Sequence, residues 1–182
     1  MDKTIFLIGL RASGKTSLAN FFVENSEYLS IDTDVLCQAK AGMSIAQLVE
    51  SKGWEAFRTL ESEVLEKIIC EQNINKDKQP HLIVSTGGGI ILSEKNRELL
   101  KNNGFVVYLK AEPEVLYQRL ILNPGAEQRP NLTNYDLLEE LKQTLQCRKE
   151  FYENCADLIL DASLNHRILF DKLISALQKT KK

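Results

Sequence analysis

The residues from Gly9 to Thr16 have the types and the spacing of a phosphate-binding loop. They read GLRASGKT and match the pattern G-x-x-x-x-G-K-[ST], between an apolar run and a helical pattern. In such a loop backbone N–H groups wrap phosphates, the lysine reaches the β and γ oxygens, and the last hydroxyl ligates Mg²⁺. A glycine turn that only caps a helix is the alternative. We predict that a nucleotide contacts these residues: Gly9, Arg11, Ala12, Ser13, Gly14, Lys15, Thr16 and Ser17.

Two carboxylates follow the second predicted strand, in the segment Ser30-Ile31-Asp32-Thr33-Asp34. Ligands of open α/β sheets bind at the carboxyl ends of the strands. Phosphoryl transfer needs a bound metal and an oriented nucleophile, so one carboxylate could hold Mg²⁺ while the other faces an acceptor hydroxyl. Taken without the phosphate loop, the same pair would indicate a solvated turn.

Three consecutive glycines follow the third predicted strand, in Ser85-Thr86-Gly87-Gly88-Gly89. Glycine loses more conformational freedom on folding than any other residue, so a run of three indicates that something approaches the backbone closely. A ligand is the explanation we favour. The alternative is a tight turn between strand and helix, which usually needs only one or two glycines.

Five short apolar runs predict buried strands, and helical patterns separate them. Strands that alternate with helices form a parallel sheet covered on both faces, because parallel strands need crossover connections. Ser44 and Ser93 are predicted helix N-caps, and a longer helix is predicted over about 54–70. The sequence therefore indicates an α/β protein whose strands cover 4–8, 28–31, 81–85, 105–109 and 157–160.

The stretch 123–133, NPGAEQRPNLT, interrupts helical periodicity between predicted helices over 114–122 and 135–152. Its proline and glycine content is that of an ordinary surface loop. A position beside a phosphate site would instead make it a mobile lid, which is the interpretation we adopt.

The composition is that of one globular domain of 182 residues, with a net charge of -2. Nucleic acid is an unexpected partner because no basic stripe is present. A membrane is equally unexpected, because no apolar run approaches the roughly 20 residues of a membrane span. No export signal is apparent, so we expect a cytoplasmic protein, and we also expect a monomer. Four scattered cysteines are assigned to packing: Cys37, Cys70, Cys147 and Cys155.

Taken together, these features resemble the shikimate kinase family, within the nucleoside-monophosphate-kinase-like P-loop proteins. The resemblance covers nearly the whole chain. It implies a three-layer sandwich around a five-stranded parallel sheet, a substrate-binding segment at about 33–62 and a lid at about 123–133. Besides the loop and the Asp32-Thr33-Asp34 segment, the matching features are Phe57-Arg58 with Glu61, Gly87-Gly88-Gly89, Arg129-Pro130, and Arg148 with Tyr152.

The resemblance also implies an activity and roles for single residues. The activity would be ATP-dependent phosphorylation of shikimate to shikimate 3-phosphate, a step towards chorismate and the aromatic amino acids. Lys15 and Thr16 would contact phosphates and Mg²⁺, Asp32 the metal, and Asp34 the acceptor hydroxyl. Arg119 would lie against adenine, and Arg129 would contact the phosphoryl oxygens. The acceptor would be bound by Phe57, Arg58, Gly87, Gly88, Gly89 and Arg148, the last holding its carboxylate.

Two departures from the family pattern stand out. Ala12 occupies a position where glycine is usual, which should be tolerated if its φ is negative. A positive φ would bring tight wrapping of the phosphates into question. The lid also contains fewer arginines than many lids of the family. This difference brings the nucleotide contacts into question, but not the type of reaction.

Other functions with the same loop stay open at this point. A gluconate-type kinase would share the fold, although Phe57-Arg58 and the triple glycine argue against it. The second class of alternative function is not a kinase at all: it would be a nucleotide-dependent switch or a non-catalytic nucleotide-binding module. A GTPase should carry N-K-x-D, whereas the segment Asn75-Lys76-Asp77-Lys78 ends in lysine.

Overall fold

The computed structural model describes residues 4–74, 81–122 and 136–179. The segment 75–78, the predicted lid and Arg129 therefore lie outside the described residues. All five predicted strands are confirmed, each to within one residue at either end. The strands are β1 (Thr4–Ile8), β2 (Leu29–Asp32), β3 (Leu82–Ser85), β4 (Gly104–Lys110) and β5 (Leu158–Asp161).

Helices connect these strands, and a short 3-10 helix, Ile90–Leu92, follows β3. Within the described ranges, none of the helices combines the length and the apolar character needed to cross a membrane. The α-helices are α1 (Lys15–Glu24), α2 (Thr33–Ala41), α3 (Ile45–Ile74), α4 (Glu94–Asn103), α5 (Pro113–Leu122), α6 (Leu137–Cys155) and α7 (His166–Lys179).

The strands form one parallel sheet in the order β2-β3-β1-β4-β5. The central strand β1 pairs with β3 at Ile5↔Ile83 and with β4 at Ile5↔Phe105. The connection that leaves β1 runs to β2, and the connection that leaves β3 runs the opposite way, to β4. Such a reversal opens a crevice at the carboxyl ends of the two strands. The phosphate loop and the triple glycine follow these two strands, so the topology brings them together.

Helices cover both faces of the sheet. Helices α1 and α7 pack together on one face, while α3, α4 and α6 pack on the other. The residues from Ile5 to Ile8 are fully buried, as expected for the continuous apolar run of a strand enclosed on both sides. The predicted three-layer α/β architecture is confirmed.

Side chains and one glycine fix where the helices begin and bend. The predicted N-caps are present: Ser44 exchanges hydrogen bonds with Gln47, and the Ser93 hydroxyl accepts from the Asn96 N–H. Helix α3 is broken at Gly53, whose φ of 82° and ψ of 169° are not helical. The segments before and after Gly53 are therefore two helices that meet at a kink, which agrees with the separate helices predicted from sequence.

The assignment of all four cysteines to packing is half right. Cys37 and Cys155 are buried, whereas Cys70 and Cys147 are exposed. Each exposed thiol lies on the solvent side of a long helix, α3 or α6. The prediction is wrong for these two residues because a scattered spacing does not tell which side of a helix faces the core.

Candidate active site

A cavity of about 730 Å³ opens at the carboxyl ends of the strands. Its walls come from the phosphate loop, Asp32 and Asp34 at the carboxyl end of β2, Gly88 after β3, and Arg119 of α5. Helix α1 starts at Gly14 without a side-chain cap. The first N–H groups of a helix attract anions, so the start of α1 is suited to bind an anion in this cavity.

Lys15 folds back into the loop that precedes it. Its Nζ donates to the carbonyl oxygens of Gly9, at 2.9 Å, and Leu10, at 2.8 Å, and lies 3.3 Å from the Ser13 hydroxyl. The residue is only 8% exposed. The ammonium group is thus held against the bend of the loop, inside the region where phosphates are expected.

Ala12 has a φ of 59°, in the left-handed region. The condition under which alanine would be tolerated without strain is therefore not met. The Ala12 carbonyl accepts a hydrogen bond from Arg119 Nη1 at 3.2 Å, and Arg119 Nη2 donates to the carbonyl of Ala162. Arg119 braces the unusual backbone of the loop and ties it to the turn that follows β5.

Thr16 and Asp32 lie side by side at the edge of the cavity. The Thr16 hydroxyl donates to Asp32 Oδ2 at 2.8 Å and lies 3.1 Å from the Ser85 hydroxyl. The other carboxylate oxygen of Asp32 accepts from the Asp34 N–H at 2.9 Å and so caps helix α2. Hydroxyl and carboxylate oxygens suit Mg²⁺, which keeps several sites for water and phosphate. The pair Thr16 and Asp32 therefore fits the expected metal.

Each of the three glycines lies close to a different group of the protein. The Gly87 N–H donates to the Thr33 hydroxyl at 3.0 Å. A Cβ on Gly88 would come within 3.2 Å of the Gly9 carbonyl, and a Cβ on Gly89 would overlap the guanidinium of Arg58. The close approach predicted from the glycines is thus to the phosphate loop and to Arg58.

Arg58 is held by a buried acid and two aromatic rings. Its Nη1 lies 2.6 Å from Glu61 Oε2, and the Glu61 side chain is fully buried. The guanidinium carbon lies 5.4 Å from the Trp54 ring centroid and 5.1 Å from that of Phe57. Arg58 and Glu61 are three residues apart on the helix, but because Glu61 is buried they do not form a surface pair. Phe57 is itself fully buried, and its ring packs against the guanidinium of Arg58.

Arg148, on helix α6, contacts the triple-glycine segment. Its Nη1 donates to the Gly88 carbonyl at 3.1 Å. Burial lowers the pKa of Arg148, the Tyr152 hydroxyl opposes this shift, and the nearby charge of Arg58 adds to it. Two guanidinium groups therefore converge beside adjacent glycines, outside the cavity lining but next to it at Gly88. Such an arrangement favours a bound anion such as a carboxylate.

Several residues of the site have no counterpart among the predicted site residues, among them Glu140, Ser85 and Thr33. Glu140, buried on α6, pairs with Arg11 of the phosphate loop at 2.8 Å. Ser85 and Thr33 bond Thr16 and the Gly87 N–H. A single acid in a charged helix carries no sequence signal of its partner. For Ser85 and Thr33 the available signal is their position beside motifs already recognised.

Comparisons with known proteins give a consistent result. A sequence model of the shikimate kinase family matches residues 11–178. Shikimate kinase 2 from Photorhabdus laumondii is 38% identical over 165 residues, which cover 91% of this chain and 90% of that protein. Shikimate kinase 2 from Syntrophotalea carbinolica is 38% identical over 182 residues, covering 100% and 99%. A shikimate kinase structure from Acinetobacter baumannii in complex with shikimate has a TM-score of 0.86 at 28% identity, covering 98% of this chain and 94% of that chain.

Proposed function

The chain belongs to the shikimate kinase family, and from this premise we propose how its residues divide the work of phosphorylating shikimate with ATP. The observation that carries the assignment is the convergence of Arg58 and Arg148 beside Gly88 and Gly89, at the border of the phosphate cavity. A buried carboxylate needs charged donors, and two guanidinium groups supply them. The acceptor is thereby held by its carboxylate next to the nucleotide.

In the proposed reaction, a hydroxyl oxygen of shikimate attacks the γ-phosphorus of ATP. The new O–P bond forms as the bond to the bridging oxygen breaks, and ADP leaves with that electron pair. Asp34 accepts the hydroxyl proton, since it lines the same cavity as the phosphate loop. Lys15 exchanges its contacts with the Gly9 and Leu10 carbonyls for the phosphoryl oxygens, and it donates to them as charge moves towards ADP.

Thr16 and Asp32 are the proposed holders of Mg²⁺. When bound, the ion neutralises charge on the β- and γ-phosphates. Arg119 is proposed to flank the nucleoside, because it lines the cavity and bonds the turn at Ala162. The contact of Arg129 with phosphoryl oxygens and the closure of the lid over 123–133 stay predictions that concern residues outside those described.

The direct test is ADP release with shikimate, with gluconate and with no acceptor. Both acids carry a carboxylate, so the comparison isolates recognition of the carbon skeleton. We expect turnover with shikimate to exceed the other two at least about tenfold, a difference of roughly 1.4 kcal/mol. Lys15→Ala should abolish it, while Lys40→Ala, which removes an exposed partner of Glu63, should not. Faster turnover with gluconate would establish the other kinase class, and equal ADP release without acceptor would contradict both.

The carboxylate assignment has its own test. A charge-assisted hydrogen bond contributes about 1.5 to 3 kcal/mol, so Arg148→Ala should raise the shikimate KM roughly 10- to 150-fold with little change in the ATP KM. Arg148→Lys should rescue only part of the loss, because a lysine lacks the planar fork. The carboxamide analogue of shikimate lacks the charge. Wild type should discriminate against it far more than Arg148→Ala does, and equal discrimination would remove Arg148 from the acceptor site.

A further inference from the structure

The Gly88 carbonyl accepts hydrogen bonds from two side chains of helix α6. One donor is Arg148 Nη1, at 3.1 Å, and the other is the hydroxyl of Tyr152. A carbonyl oxygen has two lone pairs, so these two donors satisfy it fully. The two side chains lie one helical turn apart on the same face of α6, which is why both reach a single atom.

Tyr152 is itself rigidly held. It is completely buried, and its ring stacks on Tyr108 of β4 with centroids 4.8 Å apart and an angle of 12° between the planes. Strand β4 neighbours the central strand of the sheet. The ring of Tyr152 is therefore held in the core, while its hydroxyl contacts Gly88 in the triple-glycine segment.

The same hydroxyl also interacts electrostatically with the guanidinium of Arg148. This contact favours the charged form of Arg148, against the lowering of its pKa by burial. Tyr152, Gly88 and Arg148 thus form a closed set of contacts. Because a guanidinium is planar and rigid, a fixed Nη1 sets the direction of the remaining N–H groups.

We propose that Tyr152 is a positioning residue for the acceptor, which aims the guanidinium of Arg148 at the substrate carboxylate through the Gly88 carbonyl. This inference rests on the proposed role of Arg148. Tyr152 needs no contact with the substrate, and its hydroxyl rather than its ring carries the effect.

The stacked pair offers a matched control, because Tyr108→Phe removes a hydroxyl from the other ring of the same stack. Net loss of one hydrogen bond corresponds to a change of about three- to tenfold. Tyr152→Phe should therefore raise the shikimate KM about three- to tenfold and leave the ATP KM within about twofold. It should also reduce discrimination against the carboxamide analogue. Tyr108→Phe should change neither KM by more than about twofold.

A measurement independent of turnover is available in Trp54, the single tryptophan of the chain, which lies against Arg58. Its fluorescence should report shikimate binding at equilibrium, and the Kd should follow the KM pattern. Thermal unfolding of each variant should confirm that the fold is retained. In an Arg148→Ala background, Tyr152→Phe should add less than a twofold effect, since nothing is left to aim.

The outcomes separate the two proposals. If Arg148→Ala abolishes discrimination against the carboxamide but Tyr152→Phe leaves the shikimate Kd unchanged, only the role of Tyr152 is wrong. An equal rise in Kd in Tyr108→Phe would show a general effect of the stack and overturn the inference. If Arg148→Ala itself leaves Kd and discrimination unchanged, the proposed carboxylate site fails and the positioning role fails with it.

Discussion

The carboxylate of Glu140 lies 2.8 Å from the guanidinium of Arg11, and this contact joins helix α6 to the phosphate loop. The Glu140 side chain is 1% exposed and that of Arg11 is 15% exposed. Taking one partner from a buried ion pair costs about 3 to 5 kcal/mol, because the other charge stays buried. The pair therefore matters for stability as well as for the shape of the loop.

We expect Arg11→Met to lower the free energy of unfolding by about 3 kcal/mol. The double variant Arg11→Met with Glu140→Leu should recover most of this loss, since it buries no uncompensated charge. The control is Lys142→Met on the same helix, which breaks an exposed pair with Glu114 and should cost less than about 1 kcal/mol. Urea unfolding measures all three. Equal losses for Arg11→Met and the control would show that the buried pair is energetically an ordinary surface pair.

Ala12→Gly should stabilise the protein. A non-glycine residue in the left-handed region costs about 1 to 2 kcal/mol, and glycine gives back part of that through its freer unfolded chain. We expect a net gain of roughly 0.5 to 1 kcal/mol in the free energy of unfolding. The control is Ala156→Gly, because Ala156 has a φ of -84°. That change should destabilise, so thermal unfolding that moves both variants in the same direction would speak against backbone strain at Ala12.

The two carboxylates after β2 should respond differently to conversion to asparagine. Asp32→Asn keeps an oxygen that can cap α2, so stability should change little while the Mg²⁺ concentration for half-maximal activity rises. Asp34→Asn should lower kcat about 100-fold or more, with an unchanged Mg²⁺ requirement, because it removes the proton acceptor. Activity is titrated against Mg²⁺ for each variant. Identical Mg²⁺ curves would mean that the division of labour is wrong.

Cysteine labelling should separate two pairs of thiols. Cys70 and Cys147 are exposed and should react with a disulfide reagent within minutes at pH 8. Cys37 and Cys155 should react only after denaturation, and burial raises the pKa of the Cys155 thiol to about 11. Replacing Cys70 and Cys147 by serine should remove the fast phase. A fast phase that survives in this variant would show that a buried thiol opens to solvent.

The strands and the nucleotide half of the site could be read from sequence for a physical reason. A parallel strand enclosed by helices must be a continuous apolar run, as in residues 5–8. The motifs directly follow such runs, so the sheet topology alone brings Thr16 and Asp32 together. In this part of the molecule, the order of strands and motifs along the chain was sufficient to predict which residues meet.

Contacts between distant segments could not be read in the same way. Nothing in the sequence near Glu140 indicates that this acid, rather than its neighbour Glu139, turns towards Arg11. Ala12, with its positive φ, accepts a hydrogen bond from Arg119, which is far away in the chain. The burial of Glu61 follows from the packing of α3 after its kink. Each of these depends on how helices are rotated against the sheet, which periodicity fixes only coarsely.

The position of β1 in the sheet has a consequence for how the chain acquires its structure. This strand is made first, yet its partners at Ile83 and Phe105 belong to β3 and β4, which emerge much later during synthesis. Non-local pairing of this kind slows folding, because long loops must close before any contact rewards the closure. The apolar residues from Ile5 to Ile8 thus lack the full set of their sheet neighbours until β4 has left the ribosome. The segment that carries the phosphate loop is therefore exposed to aggregation for longer during synthesis than a strand that pairs with its immediate neighbour in the chain.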